Sequence, residues 1–231
     1  MNDSIKRTIR RALLRRGLRI YSVNKFGLDV ESDVRKFVAG EFRTIFDVGA
    51  NTGQSAIRFG EAFPTSDIYS FEPVPDTFET LKRNTASNPR LHAFQCAMGA
   101  KPDRAKIYLG DVSQKNSMVA ETGKSVEVEV KTIDGFCEEN GIKGIDFLKI
   151  DVEGFEFAVL DGAAKMLDGH VKFIYCECAL SPSVEEPHIE LTELQERLSP
   201  DFVAACFYPE AFSYGSCYGN ALFMHRSLVP R

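Results

Sequence analysis

The 231-residue chain has no apolar run of about 18 residues, so no transmembrane helix is expected. Its first 25 residues lack the continuous apolar stretch of a secretory signal. There is no CxxC pair, and the four histidines (His92, His170, His188, His225) are scattered, so the ligand spacings of a zinc site are missing. The six cysteines, Cys96, Cys137, Cys176, Cys178, Cys206 and Cys217, read as reduced, buried thiols of a cytoplasmic protein. Cys176 and Cys178 lie two apart in an apolar run, where a strand points both to one face. No internal repeat or low-complexity tract is present. At 44% hydrophobic and 26% charged residues the composition is that of a globular domain. At roughly 100–200 residues per domain, the length allows one domain with a small appendage.

What is present is first an uneven charge. The net charge of −5 conceals a +7 balance in residues 1–25, where Lys6, Arg7, Arg10, Arg11, Arg15, Arg16, Arg19 and Lys25 oppose Asp3 alone. The remainder therefore carries −12. Such an acidic body is not expected to bind nucleic acid, because phosphate contacts need a basic face. Ile5, Ile9, Ala12, Leu13 and Ile20 recur at near-helical spacing among the arginines, which predicts a basic amphipathic helix. Two readings stay open for it: a helix packed over the body, or peripheral contact with the inner face of a membrane. At the other end, Leu228-Val229-Pro230-Arg231 resembles half of a thrombin cleavage site, so residues 227–231 are expected to be a tag remnant.

Along the chain, helical patterns are expected at 30–39, 54–62, 76–84, 132–140, 155–167 and 191–198. Strands are expected at 44–48, 68–71, 91–98, 145–150 and 171–178. This alternation implies βαβ units and a parallel sheet. Segments 105–109 and 126–130 differ: Val126, Val128 and Val130 alternate with Glu127 and Glu129, the pattern of a half-wet antiparallel pair. Segments 202–208 and 220–225 read as a final antiparallel hairpin with a long loop between them. The aromatic stretch 207–217 (Phe207, Tyr208, Phe212, Tyr214) is either a surface that stacks on a sugar ring or packing.

Three motifs carry chemistry. Asp47-Val48-Gly49-Ala50-Asn51-Thr52-Gly53 joins a buried strand to a helix. Its glycines permit positive φ and close approach of a ligand, and the helix behind offers free N–H groups. It is neither the G-x-G-x-x-G dinucleotide fingerprint nor a Walker loop, and Asp47 would repel a diphosphate but suit a cation or an amine. Glu72 ends the next strand, where an acid can accept both hydroxyls of a ribose. A ligand with a ribose, an ammonium and no phosphate fits both, and S-adenosylmethionine is one. Lys149-Ile150-Asp151-Val152-Glu153-Gly154 follows a core strand, placing Asp151 and Glu153 at the rim where α/β sheets bind ligands. Two carboxylates there can act as a general base or hold a divalent metal; they can equally be helix N-terminal acids. Glu177 is a further acid on that rim.

Together, the 47–53 loop, Phe71-Glu72-Pro73 and Lys149–Gly154 with Glu156 resemble the FkbM family of S-adenosylmethionine-dependent methyltransferases, over about residues 44–180. The K-I-D-V-E-G segment is the specific part; the glycine loop alone marks only a class I methyltransferase. The resemblance implies an α/β, Rossmann-like, mostly parallel seven-stranded sheet (41–226) behind a helical extension (1–40). It also implies O-methylation, often of glycans or natural products. Asp47, Gly49, Ala50, Asn51 and Gly53 then match the methionine-side loop, and Glu72 the ribose acid. Ala97 and Met98 lie where adenine would sit, Asn116 and Ser117 match an element near the cofactor, and Asp151 and Glu153 match the acidic pair. The expected chemistry is removal of a hydroxyl proton by Asp151, or its binding of a divalent metal, with Glu153 assisting and Lys149 and Glu177 beside it. The expected acceptor is a sugar hydroxyl of a cell-surface glycan or glycolipid. A natural-product acceptor, RNA methylation and a non-catalytic binding domain are the alternatives.

Overall fold

The computed structural model describes residues 25–38, 40–108, 124–180, 189–213 and 216–229, without the side chains of 211–213 and 216. The basic segment 1–24, the Asn116-Ser117 pair and Tyr214 lie outside the described residues.

The chain alternates as its apolar pattern requires. Helix α1 is Val30–Phe37, followed by β1 (Thr44–Val48), α2 (Gln54–Ala62), β2 (Asp67–Phe71), α3 (Pro75–Thr85) and β3 (Leu91–Phe94). Then come β4 (Ala97–Met98), β5 (Asp103–Tyr108), β6 (Ser125–Lys131), α4 (Ile133–Asn140), β7 (Ile145–Ile150), α5 (Glu156–Asp161) and α6 (Ala164–Leu167). Strand β8 (Val171–Ala179), α7 (Leu191–Leu198), β9 (Phe202–Ser213) and β10 (Ser216–His225) follow, with a 3-10 turn at Arg226–Leu228 last among the described residues. Leu228 packs partly buried against the core.

A seven-stranded sheet runs in the order β3-β2-β1-β7-β8-β10-β9. All its strands point one way except β10, which is antiparallel to both β8 and β9. The order reverses between β1 and β7, and an open α/β sheet forms its binding crevice beyond the strand ends at such a reversal. Strand alternation splits the core in two. Phe46, Val48, Leu148, Ile150, Cys176, Cys178 and Phe223 face α4–α7. Ile45, Phe147, Phe173, Tyr175 and Leu222 face Val30 and Val34 of α1 and Ala56 and Phe59 of α2. The cysteines are all free, four of them buried.

Three expectations are corrected. The run 91–98 is two strands: β3 stays in the large sheet, and Ala97 and Met98 pair with Val130 and Lys131 of a separate sheet ordered β4-β6-β5. A continuous apolar run hides this change of partner. The helix expected at 155–167 breaks after Asp161, because Asp134 caps a fresh start: its carboxylate accepts from Lys165 N at 2.8 Å and Met166 N at 3.0 Å. Gly162 lies against Gly99, where a Cβ would stand 2.0 Å from the Gly99 carbonyl oxygen. The long loop of the last hairpin is instead strand. Pro209 reads as a loop residue, but it faces Gly219 at a bulge, a position that tolerates proline.

Candidate active site

At the tip of β1 the chain turns through Gly49 (φ 78°), Asn51 (φ 48°) and Gly53 (φ 95°). Gly49 is obligatory there. A Cβ would stand 1.8 Å from the Asp151 carbonyl oxygen, because the loops after β1 and β7 cross in contact and Asp151 N donates to Val48 O at 3.1 Å. Gly49 N and Ala50 N both donate to Phe71 O, at 3.1 and 3.0 Å, tying the loop to β2. Helix α2 starts behind Gly53 with no side-chain cap, so no side chain at the cap position claims its first N–H groups.

Glu72 is held at the end of β2. One carboxylate oxygen accepts from Asn51 N at 3.0 Å and the other from Val74 N at 2.9 Å. Burial, opposed by those two N–H groups, pushes its carboxyl up to about 7. A carboxylate has about four acceptor sites; two are used, which leaves a pair for the hydroxyls of a ribose. The residues therefore fit the adenosyl end of S-adenosylmethionine. Glu72 N also donates to Phe94 O at 3.1 Å, so the strand that leads to Ala97 and Met98 runs directly beside it. Both of those residues are buried, and Ala97 packs in the apolar cluster of the small sheet with Val74.

The tip of β7 carries the reactive-looking acids. Lys149 is buried and places its Nζ 2.9 Å from Asp47 Oδ1, 3.3 Å from Asp151 Oδ2 and 3.2 Å from the Gly49 carbonyl oxygen. Burial alone would lower the pKa of this ammonium, but Asp47 and Asp151 outweigh it and raise it. Asp47 is fully enclosed, so its ammonium partner is Lys149 of the same chain. Neither Asp47 oxygen completes a well-angled hydrogen bond, and its register neighbour Ser70 likewise leaves a buried hydroxyl unmatched. Asp151 is 41% exposed and faces the rim. Glu153 is exposed at φ 51°, next to Gly154 at φ 95°. Glu156 secures this turn by accepting from Gly154 N at 3.1 Å, and burial raises its pKa.

Glu177 stands beside Asp151. Ile150 pairs with Cys176, so Asp151, just past the end of β7, is level with Glu177 inside β8. Burial, with Asp151, Glu153 and Glu210 nearby, pushes Glu177 up to about 8. On its other side Glu177 pairs with Asn220, whose Nδ2 donates to Glu210 Oε1 at 2.7 Å. Sequence reasoning missed Asn220, Glu210 and Ser70. A serine inside the apolar strand 68–71 was the one visible signal. The aromatic stretch resolves as packing at Tyr208, whose hydroxyl donates to Asp33 Oδ2 at 2.8 Å and whose ring meets Tyr175 edge-on. Among the described residues, no three His, Cys, Asp or Glu side chains converge to hold a metal.

The 49–53 loop, Glu72 and the acidic strand tip thus occupy one rim, and residues 47–202 match the Methyltransferase FkbM domain. The chain belongs to the FkbM methyltransferase family. It is 26% identical over 151 residues to 2-O-methyltransferase NoeI of Sinorhizobium fredii, covering 58% of this chain and 62% of that one. It is 31% identical over 157 residues to hexuronic acid methyltransferase AglP of Haloferax volcanii, covering 64% and 62%. The chain thus spans just over three fifths of the length of these relatives. In fold it is similar to a crystal structure of methyltransferase FkbM from Methylobacillus flagellatus, with a TM-score of 0.53 and 17% identity over 80% of this chain and 44% of that one.

Proposed function

We propose that this chain is an S-adenosylmethionine-dependent O-methyltransferase acting on a sugar hydroxyl of a glycan or glycolipid. The observation that carries the reading is the contact of two loops: the Gly49 turn presses on Asp151, so a cofactor pocket and an acidic strand tip share one wall. The names of the two relatives, a 2-O-methyltransferase and a hexuronic acid methyltransferase, support a sugar acceptor.

When bound, the cofactor supplies a methyl group already activated on a sulfonium. Glu72 would hold the ribose hydroxyls, and the turn 49–53 with the start of α2 the methionine end. The rest of the work is alignment and proton removal. Holding a nucleophile in line at near-contact distance removes roughly 7–11 kcal/mol of barrier. A sugar hydroxyl also needs a base within hydrogen-bond reach, worth roughly 10²–10⁴-fold. Asp151 Oδ2 faces the Lys149 ammonium, so Oδ1 is the oxygen that takes the proton. Glu177, with its carboxyl pushed up to about 8, is mostly protonated at neutral pH and so adds little negative charge beside Asp151. Glu153 would assist from the exposed turn beside Asp151. No step needs a metal bound at Asp151.

The test is mass spectrometry of surface glycans and glycolipids from cells with and without the protein. The expected result is one methyl group lost from one sugar. Unchanged glycans, with a methyl missing from RNA or from a small secreted metabolite, would refute the sugar assignment.

A further inference from the structure

We infer, resting on the methyl-transfer reading above, that the rim beside Asp151 seats a sugar without carboxylate or phosphate, a neutral or amino sugar, and that Glu210 selects it. Lys149 and Tyr175 are register neighbours, and Glu177 faces Asn220. Asp151 reaches Lys149 at 3.3 Å and is level with Glu177. Side chains two apart on a strand share a face. Tyr175, Glu177 and Asn220 therefore stand with Lys149 on the α1–α2 side of the sheet, where Phe147 and Leu222 also pack.

Glu210 is brought to this group by a β-bulge. Tyr218 faces Ala211 and Gly219 faces Pro209, so Glu210 is the extra residue between them. A bulge bends its strand and re-aims a side chain. Gly219 permits it: a Cβ there would stand 2.2 Å from the Tyr208 carbonyl oxygen. Asn220, 6% exposed, fixes the result by donating from Nδ2 to Glu210 Oε1 at 2.7 Å. Tyr175 marks a ligand's place independently. It is 7% exposed, yet no described residue hydrogen-bonds to its hydroxyl. Burial raises the pKa of that hydroxyl, Arg58 lowers it, and Glu210, Glu31 and Asp151 raise it further, so it lies among these groups. A buried polar group of this kind calls for a partner.

The chemistry of this wall is one-sided. Asp151, Glu153 and Glu210 all lie close enough to act on the Glu177 carboxyl. The cations nearby are engaged: Lys149 with Asp47 and Asp151, and Arg58 with Glu31 at 2.6 Å. A carboxylate accepts hydrogen bonds, whereas a hydroxyl or an ammonium donates them. A neutral or amino sugar can therefore donate to Asp151 and Glu210 while one of its oxygens accepts from the Tyr175 hydroxyl. A uronate or a sugar phosphate offers acceptors where the wall needs donors, and it meets like charge. One like charge about 6 Å away at a protein surface weakens binding by roughly a hundredfold. The negative charge that suits proton removal thus excludes an acidic acceptor.

The experiment incubates the full chain and methyl-labelled S-adenosylmethionine with glycans and glycolipids extracted from cells that lack the protein. The expected result is label in a neutral or amino sugar, undiminished when the carboxyl groups of the extract are first reduced to alcohols. Label in a uronic acid or a phosphorylated sugar, or label lost on that reduction, would overturn the inference and leave methyl transfer to sugars standing. Label in no sugar, with S-adenosylhomocysteine still bound in calorimetry, would refute the sugar reading itself and this inference with it. Glu210→Gln keeps an acceptor for Asn220 and removes the charge. It should raise KM for the extract by about tenfold to a hundredfold, with kcat and the affinity for S-adenosylhomocysteine nearly unchanged. An unchanged KM, or a fall in kcat alone, would remove Glu210 from acceptor selection.

Discussion

Cofactor affinity should weaken about tenfold between pH 8 and pH 6, and one carboxyl should cause it. Glu72 titrates near 7 in the empty site because burial disfavours its charge. Asp47 raises it slightly and Lys149 lowers it slightly. Two ribose hydroxyls would donate to the ionised form, so that form binds. With a pKa near 7, the ionised fraction falls from about 0.9 at pH 8 to about 0.1 at pH 6, and the dissociation constant rises in proportion. Binding at pH 7 should release about half a proton.

The stability of the empty protein moves the other way. Glu72 has a higher pKa folded than unfolded, so the folded state binds more protons between about 4.5 and 7. Stability therefore falls as pH rises through that window, by an order of 3 kcal/mol at most for a shift of this size. Glu31, near 7, and Glu177, near 8, add to the same fall, so a variant is needed to isolate Glu72. Glu72→Gln keeps one acceptor oxygen and loses one charge-assisted bond, worth roughly 1.5–3 kcal/mol, or about tenfold to a hundredfold in affinity at pH 8. Titration calorimetry with S-adenosylhomocysteine in two buffers of different ionisation heat reads both quantities. A wild-type affinity that is flat from pH 6 to 8, or a pH dependence that survives in Glu72→Gln, would refute the reasoning.

Asp151→Asn should lower kcat by roughly 10²–10⁴-fold while leaving the calorimetric cofactor affinity nearly unchanged. Equal loss of both would make Asp151 a structural residue, and activity abolished by a chelator would restore a metal to the mechanism. Lys149→Met should destabilise the protein by about 3–5 kcal/mol, because Asp47 is then buried without its cation. Urea unfolding of Lys149→Met with Asp47→Asn should recover much of that loss, and a purely additive double variant would refute the pairing.

The sequence disclosed elements where one periodicity ran unbroken between strong punctuation. Strands 44–48 and 145–150 are apolar runs closed by a glycine turn or an acid, and both stand in the fold with those bounds. It concealed changes of partner. Nothing local in 91–98 marks the point where the chain leaves one sheet for another, because both partners bury apolar side chains. The break after Asp161 depends on Asp134, about a quarter of a small domain away in sequence, which no window of periodicity spans. The candidate site divides in the same way. Asp47, Glu72 and Asp151 sit at or just past strand ends and were legible as such. The burial of Asp47 and the approach of Asn220 and Glu210 to Glu177 depend on strand order, which only the assembled sheet reveals.

That strand order also explains why a lysine is buried at the centre of the rim. Removing an ammonium from water costs several kcal/mol, and the attraction of nearby carboxylates offsets this only when the geometry is good. Stability alone would be served as well by apolar side chains in place of both Lys149 and its buried partner Asp47. Lys149, however, touches three separate things at once: Asp47 near the end of β1, the carbonyl of Gly49 and the acid that follows β7. Because β1 and β7 are neighbours across the reversal in sheet order, one cation fixes the glycine turn relative to Asp151. A methyl donor and a proton acceptor on different loops must keep their spacing to a fraction of an ångström for in-line transfer. The buried cation thus converts two loops into one rigid wall, and the cost of its burial is offset in the precision of the site.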